Sequence, residues 1–278
     1  MIPTKSRQDF RAKYKNSKGT FIQLEKKLAE YQSIDYENLR DLALMSRYDT
    51  KFIFHIEKLL SVFDYLSDGY KIVEIHNKRA PGYKNLYYDT DDLLFYHQHH
   101  NQRVNRYKIR FRRYIDTDRC FFEIKCKNNK KKTSKVRFPL KEAGLNFSLS
   151  EELKNYTKKN VSLADHVIDN IKPALTTAFN RITFANEVYK ERITFDINLT
   201  FSDTLSYSKR INNLVVAELK QENYSFSSPV FNCFKKYKIF PSRFSKYCIG
   251  TITMGKTIRY NRFKSKLLIL NKISQEDN

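Results

Sequence analysis

Along much of this chain apolar and charged residues alternate one for one, the pattern of strands with one dry face and one wet face. In NRYKIRFRRY (105–114) the branched and aromatic residues favour a strand, and its period of two points Arg106, Lys108, Arg110 and Arg112 the same way. Residues 119–127 set Phe122, Ile124 and Cys126 against Glu123, Lys125 and Lys127, and 133–139 set Val136 and Phe138 against Lys135 and Arg137. Further on, Ile193, Phe195 and Ile197 oppose Arg192, Thr194 and Asp196, while Val215, Ala217 and Leu219 oppose Glu218 and Lys220. Other strands are expected at 70–76, 83–90, 174–184, 190–200 and 213–220. RYDTKFIF (47–54) reads as a strand or as the entry to a helix over 55–66.

Helical spacing appears at 20–34, with a second short helix over Asp35–Met45, and again at 91–101, 148–159 and 163–171, the last stopped by Pro173. SPVFNCFKKYKIF (228–240) and the segment from Phe244 also read as helical, and a basic tail ends the chain. No internal repeat is present. Many strands without regular strand–helix–strand alternation predict an α+β fold built on an antiparallel sheet or barrel. The expected organisation is a basic, helical extension over 1–41, one main domain over 42–255 and a basic tail over 256–278.

Charge changes the picture. Lys and Arg number 52 against 30 Asp and Glu in 278 residues, a net +22, which predicts a polyanionic partner. For any single strand a solvated polar face is the ordinary explanation. Here the charged faces are mainly cationic, and carboxylates recur just before lysines, in EIK (123–125) and ELK (218–220). Closing the sheet into a barrel with these rows inside makes a positive, water-filled tunnel, with helices packed on the apolar exterior. A linear polyphosphate suits such a tunnel. The few carboxylates, Glu123 and Glu218, would hold a divalent cation bridging the phosphates. Cys120, Cys126, Cys233 and Cys248 form no C-x-x-C pair, no secretory signal is evident, and no apolar run reaches membrane-helix length, so a cytoplasmic protein with ordinary thiols is expected.

RYDTKFIF (47–54), YYDT (87–90), NRYKIRFRRY (105–114), FFEIKCKNNKKKTSKVR (121–137), PALTTAFNRITF (173–184), ERITFDINL (191–199), VVAELK (215–220) and RFSKYCIG (243–250) occur in that order. Together they resemble the VTC domain, the polyphosphate polymerase module of the triphosphate tunnel metalloenzymes, which are CYTH-like. The resemblance implies a closed, eight-stranded antiparallel β-barrel. Inside it the γ-phosphate of ATP would pass to a growing polyphosphate chain, with Mn²⁺ or Mg²⁺ as cofactor. It also implies roles by position. Lys51 matches the basic residue of the first strand, Arg110 and Arg112 the R-x-R pair, and Lys125 the lysine of E-x-K. Arg181 matches the arginine of Y-N-R, Glu218 the metal-binding glutamate, and Ser245 with Lys246 the phosphate-contacting S-K. Phe179 stands where the family has tyrosine. Lys108, Lys135, Arg137, Arg192 and Lys220 join as lining residues on alternation alone. Neither a phosphate-sensing SPX domain nor the membrane helices of the eukaryotic assembly is expected, as in the soluble bacterial form.

Two other readings compete. A triphosphatase or CYTH-like hydrolase in the same tunnel would use E-x-E-x-K on its first strand, whereas this chain has Arg47-Tyr48-Asp49-Thr50-Lys51, with a cation for one carboxylate and a shorter Asp for the other. A non-enzymatic polyanion or RNA binder could stack bases on Tyr and Phe, but most of these sit on the apolar faces, so nucleic acid is the weaker partner. The histidines of YHQHH (96–100) lack companions for a zinc site and read as an exposed polar helix. KNNKKK (127–132) reads as a basic hairpin turn at a tunnel mouth. Asp89, Asp91 and Asp92 read as caps for the following helix rather than a metal cluster. The run KTIRYNRFKSK (256–266) is a candidate for contact with a membrane surface or with polyphosphate.

Overall fold

The computed structural model describes residues 22–35, 48–66, 68–128, 133–140, 148–203, 207–255 and 258–275. The first helix, α1, covers residues 22–29 and buries Leu24 and Leu28, one turn apart. Strands β1 (Ser33–Asp35) and β2 (Tyr48–His55) precede helix α2 (Lys58–Tyr65), and β3 (Lys71–Glu74) and β4 (Gly82–Asp89) precede α3 (Leu94–His100). A meander follows, made of β5 (Arg106–Tyr114), β6 (Arg119–Lys127) and β7 (Thr133–Leu140). Helices α4 (Glu151–Asn160) and α5 (Asp165–Asp169) then lead to the long strands β8 (Lys172–Asn186) and β9 (Glu191–Ser202). Strands β10 (Ser208–Arg210) and β11 (Leu214–Gln221) come next, before α6 (Pro229–Lys236), α7 (Lys246–Thr253) and α8 (Lys264–Gln275).

Eight strands run antiparallel in the order β2-β11-β9-β8-β4-β5-β6-β7, with β3 also on β8, β1 on β3 and β10 on β9. The alternation fixes which face goes where. Phe52 and Phe54 of β2, Ile182 and Phe184 of β8, Ile193, Phe195 and Ile197 of β9, and Val215, Ala217 and Leu219 of β11 form one outer core with α1, α2 and α6. Ile109, Phe111, Phe122 and Ile124 form another under α4 and α5, with Phe95 of α3 packed beside them. A third unites Leu199 and Phe201 with Tyr247, Cys248 and Ile249 of α7 and Leu270 and Ile273 of α8. Helices therefore cover the apolar outside of a curled sheet, and its polar rows turn inward.

The sheet is not a closed barrel, which corrects the expectation. Strands β2 and β7 end the hydrogen-bonded path, and among the described residues they do not pair with each other. The open edge of β2 is met instead by the chain at 241–242: Phe52 bridges Pro241, and the Ser242 amide donates to the Lys51 carbonyl at 2.7 Å. A short segment thus lines the edge where a strand pair would close the ring, and it delivers α7 beside the cavity. Pairing of edges depends on register and on loop paths, neither of which alternation encodes.

Several local expectations also change. Pro173 is the second residue of β8 and sits at the register shift opposite Tyr88, where a missing amide costs no ladder bond. The basic C-terminal segment contains α8, whose Leu270 and Ile273 are buried, so 264–275 is packed helix rather than tail. The second helix expected over Asp35–Met45 lies beyond Asp35 outside the described residues, as do residues 129–132 of the KNNKKK turn. In α3, His100 is buried and bonds Asn261 at 2.7 Å, while His99 meets the Tyr107 carbonyl at 3.2 Å. The histidine helix is therefore packed, not exposed.

Candidate active site

Inside the curl lies a cavity of about 440 Å³, within the range of small-molecule sites. Eleven Lys and Arg and three Asp and Glu line it, a net +8 before any ligand. Three residues of β5 face it in a row, Lys108, Arg110 and Arg112. Their partners across the ladder continue the lining with Lys125 of β6 and Lys135 and Arg137 of β7. The opposite wall carries Lys51 of β2, Arg181 of β8, Arg192 of β9 and Lys220 of β11. Ser245 and Lys246 enter from the start of α7.

Glu123, Glu218 and Asp196 each serve two or more cations. Glu123 is 1% exposed, and Arg110 grips one of its oxygens at 2.8 and 2.6 Å. Lys135 pairs with the other oxygen, while Arg112 and Arg137 stand 3.8 and 3.9 Å away. Glu218 is held by Lys51 and by Lys220, the latter at 2.6 Å. Asp196 takes Arg181 on both oxygens at 2.6 and 2.8 Å, and Lys246 as well. Lys108 touches the Ser245 hydroxyl at 3.2 Å. That hydroxyl also caps α7 through the Cys248 amide.

Burial disfavours every charge here, and the neighbours decide which groups keep theirs. For Glu123, burial is outweighed by Arg110, Arg112 and Lys135, and the carboxyl lies far below its ordinary value. Glu218 is likewise well below its ordinary value because Lys220 and Lys51 overcome burial. Asp196 is held at about 2 by Arg181 and Lys246 against the same penalty. The lysines move the other way. Lys108, Lys125, Lys135 and Lys220 are each lowered from 10.5 to about 8, chiefly by burial. An anion in the cavity would reverse that shift.

An aromatic floor supports the cations. Tyr83 and Phe179 face each other across the β4–β8 ladder with rings 5.4 Å apart and nearly parallel. Arg181 lies over both, at 5.0 and 5.3 Å, and Lys246 lies 4.5 Å from the Phe179 centroid. Arg112 bonds Asn85 at 2.8 Å, which in turn bonds Thr177. Tyr87 supports Arg110, whose guanidinium donates to its hydroxyl at 3.3 Å.

All the lining residues expected from the sequence therefore meet in one cavity: Lys51, Lys108, Arg110, Arg112, Lys125, Lys135, Arg137, Phe179, Arg181, Arg192, Glu218, Lys220, Ser245 and Lys246. Glu123 is the exception. It sits behind Arg110 and does not line the cavity, with Arg110, Lys135, Arg112 and Arg137 all within 4 Å of its oxygens. Arg106, at the far end of its strand, lines an adjoining recess with Lys127, Arg243 and Ser242. Sequence reasoning left out Asp196, although its place on the polar face of β9 was visible. It also left out Asn85, Tyr83 and Tyr87, whose alternation in β4 was legible but whose facing was not. Asp89, read as a helix cap, accepts the Phe95 and Tyr96 amides of α3 and also the Tyr247 hydroxyl of α7.

A curled antiparallel sheet here turns its basic rows onto one cavity, an arrangement suited to gripping a polyanion. The chain belongs to the VTC domain family, whose model matches residues 46–254. A comparison with curated proteins returns no match. Similar solved structures include a Bacillus halodurans protein provisionally assigned as an adenylate cyclase, at 13% identity, covering 80% of this chain and 98% of that one, TM-score 0.42. Another is HpAC1 from Hippeastrum, provisionally an adenylyl cyclase, described as revealing a dominant triphosphatase activity; identity is 13%, coverage 77% and 98%, and TM-score 0.45. A third is PH1819 from Pyrococcus horikoshii OT3, at 13% identity, 81% and 99% coverage and TM-score 0.36.

Family membership implies dependence on a divalent metal. Among the described residues no three His, Cys, Asp or Glu side chains gather into a metal cage. Of the three carboxylates that line the cavity, Glu218 lies between two lysines. That donor set fits an ion whose remaining oxygens come from bound phosphates, and it does not fit an ion held by protein alone. Among the described residues no helix is long and apolar enough to cross a membrane.

Proposed function

We propose that the protein is a polyphosphate polymerase that transfers the γ-phosphoryl group of ATP to the end of an inorganic polyphosphate chain within this cavity. The observation that carries the reading is the convergence of eleven cations from β2, β5–β9, β11 and α7 on one space, where Glu218 and Asp196 are each tied to two of them. Phosphoryl transfer passes through a loose, metaphosphate-like state, and its demands are alignment and charge neutralisation rather than a covalent intermediate. Arg110, Arg112, Lys125, Arg181 and Lys246 would grip the transferring and accepting phosphates. Lys51, Lys108, Lys135, Arg137, Arg192, Lys220 and Ser245 would hold the rest of the chain. Glu218 would hold the metal, Mn²⁺ or Mg²⁺, which supplies charge neutralisation on the phosphate oxygens when bound. The acceptor is then the terminal phosphate of a chain held in the same cavity.

The first strand separates this reading from hydrolysis. Where the hydrolase pattern E-x-E-x-K has two glutamates, this chain has Arg47 and the shorter Asp49, which leaves fewer carboxylates to gather metal and orient water. Purified protein incubated with ATP and Mn²⁺ is expected to form long, acid-labile phosphate chains with equimolar ADP. Free phosphate as the sole product would replace the polymerase reading with the hydrolase one. Polyanion binding without any turnover, unchanged in Glu218→Gln, would leave only a binding protein.

A further inference from the structure

Tyr83 has a hydroxyl that the site described above does not use. The residue is 6% exposed and lines the cavity. Among the described residues its oxygen has no hydrogen-bond partner, whereas the buried hydroxyls of Tyr70 and Tyr247 bond to Glu191 and Asp89. Because the residue lines the cavity, this hydroxyl is open to water or to a bound ligand there. The ring is fixed from several sides: stacked on Phe179 at an interplanar angle of 5°, 5.0 Å from the Tyr114 ring, and covered by Arg181 and Arg112 at 5.0 and 5.8 Å. The ring is therefore held in place on the cavity wall, with two cavity-lining guanidinium groups over it. Burial raises its pKa to about 12, so it remains a proton donor throughout the physiological range.

We infer that Tyr83 is a substrate-binding residue, its hydroxyl donating to a non-bridging oxygen of the phosphate that Arg112 and Arg181 grip. This rests on the phosphate-chain reading of the cavity. Phe179, its stacked neighbour, presents no polar atom at the matching place on the next strand. Because the two rings are parallel and 5.4 Å apart, a hydroxyl carried by residue 179 would reach the same phosphate from the adjacent position.

The test uses the full-length chain and binding of sodium tripolyphosphate by calorimetry, so that it reads phosphate recognition without turnover. Tyr83→Phe is expected to weaken binding about tenfold, the scale of one hydrogen bond to a charged acceptor. The melting temperature without ligand is expected to hold or rise, since the variant loses only an unpaired group. Tyr83→Phe combined with Phe179→Tyr is expected to recover most of the affinity. Wild-type affinity in Tyr83→Phe, or a loss that the second substitution leaves in place, overturns the assignment. A wild-type chain that binds tripolyphosphate yet makes no polyphosphate removes the polymerase reading and leaves the Tyr83 result standing. No binding by the wild-type chain overturns both.

Discussion

Glu123 is almost without exposed surface, yet Arg110, Lys135, Arg112 and Arg137 all lie within 4 Å of its oxygens. Take away its charge and four cations face one another with nothing between them. Breaking a buried ion pair from one side typically costs about 3–5 kcal/mol, because the remaining charge stays buried. Glu123→Gln keeps the shape and removes the charge, so it is expected to lose about 3 kcal/mol of stability in urea unfolding. Added tripolyphosphate is expected to restore much of that loss by taking over the counter-charge. A destabilisation that the polyanion leaves unchanged would show that Glu123 acts by packing alone. Part of this was legible in the sequence: in EIK and ELK a spacing of two puts glutamate and lysine on the same face, and Lys220 does meet Glu218 within its own strand at 2.6 Å. The cross-strand partners were not legible. Lys51 reaches Glu218, and Arg110 reaches Glu123, through register, which is set by turns and bulges rather than by composition.

At the scale of elements, α7 is the piece that completes the cavity. Its helical spacing was readable from Phe244 onward, but its insertion at the open seam was not, because that follows from the chain at 241–242 bonding to β2. Three contacts hold it. Ser245 caps its first turn, Tyr247 donates to Asp89, and Gly250 allows a close approach to the sheet. A Cβ on Gly250 would fall 2.5 Å from Phe201 and 2.6 Å from Leu175, both buried core side chains. Gly250→Ala is therefore expected to push α7 outward and cost about 1–3 kcal/mol by overpacking, despite alanine's better helix propensity. The same displacement withdraws Ser245 and Lys246 from the cavity, so tripolyphosphate affinity should fall together with stability. Stability lost at unchanged affinity would mean that the start of α7 is anchored independently of its packing.

For the whole molecule, the sheet encloses a charge imbalance that the protein leaves uncorrected: a cavity of net +8 in which lysines yield part of their charge to burial. Lys108 is faced by Lys51, Arg106, Arg110, the Ser245 hydroxyl and the Cys248 thiol; Lys135 by Glu123, Arg112 and Arg137. Both sit at about 8 rather than 10.5. The sign follows. A folded-state value below the unfolded one means the charged lysine opposes folding below about pH 8, and this opposition fades as pH rises from 8 toward 10.5. A bound polyanion favours the charged form, so it stabilises most where these lysines are already protonated, at neutral pH. At a concentration about 100 times its dissociation constant, tripolyphosphate contributes roughly 2.7 kcal/mol, or about 5 °C in melting temperature for a chain of this size. Thermal unfolding at pH 7 and pH 9 with a fixed tripolyphosphate concentration is expected to give that rise at pH 7 and a clearly smaller one at pH 9, as binding must then recharge the lysines. Equal rises at both values would place the anion away from Lys108 and Lys135, on the outer basic surface, and the curled sheet would then be enclosing charge for some purpose other than gripping phosphate.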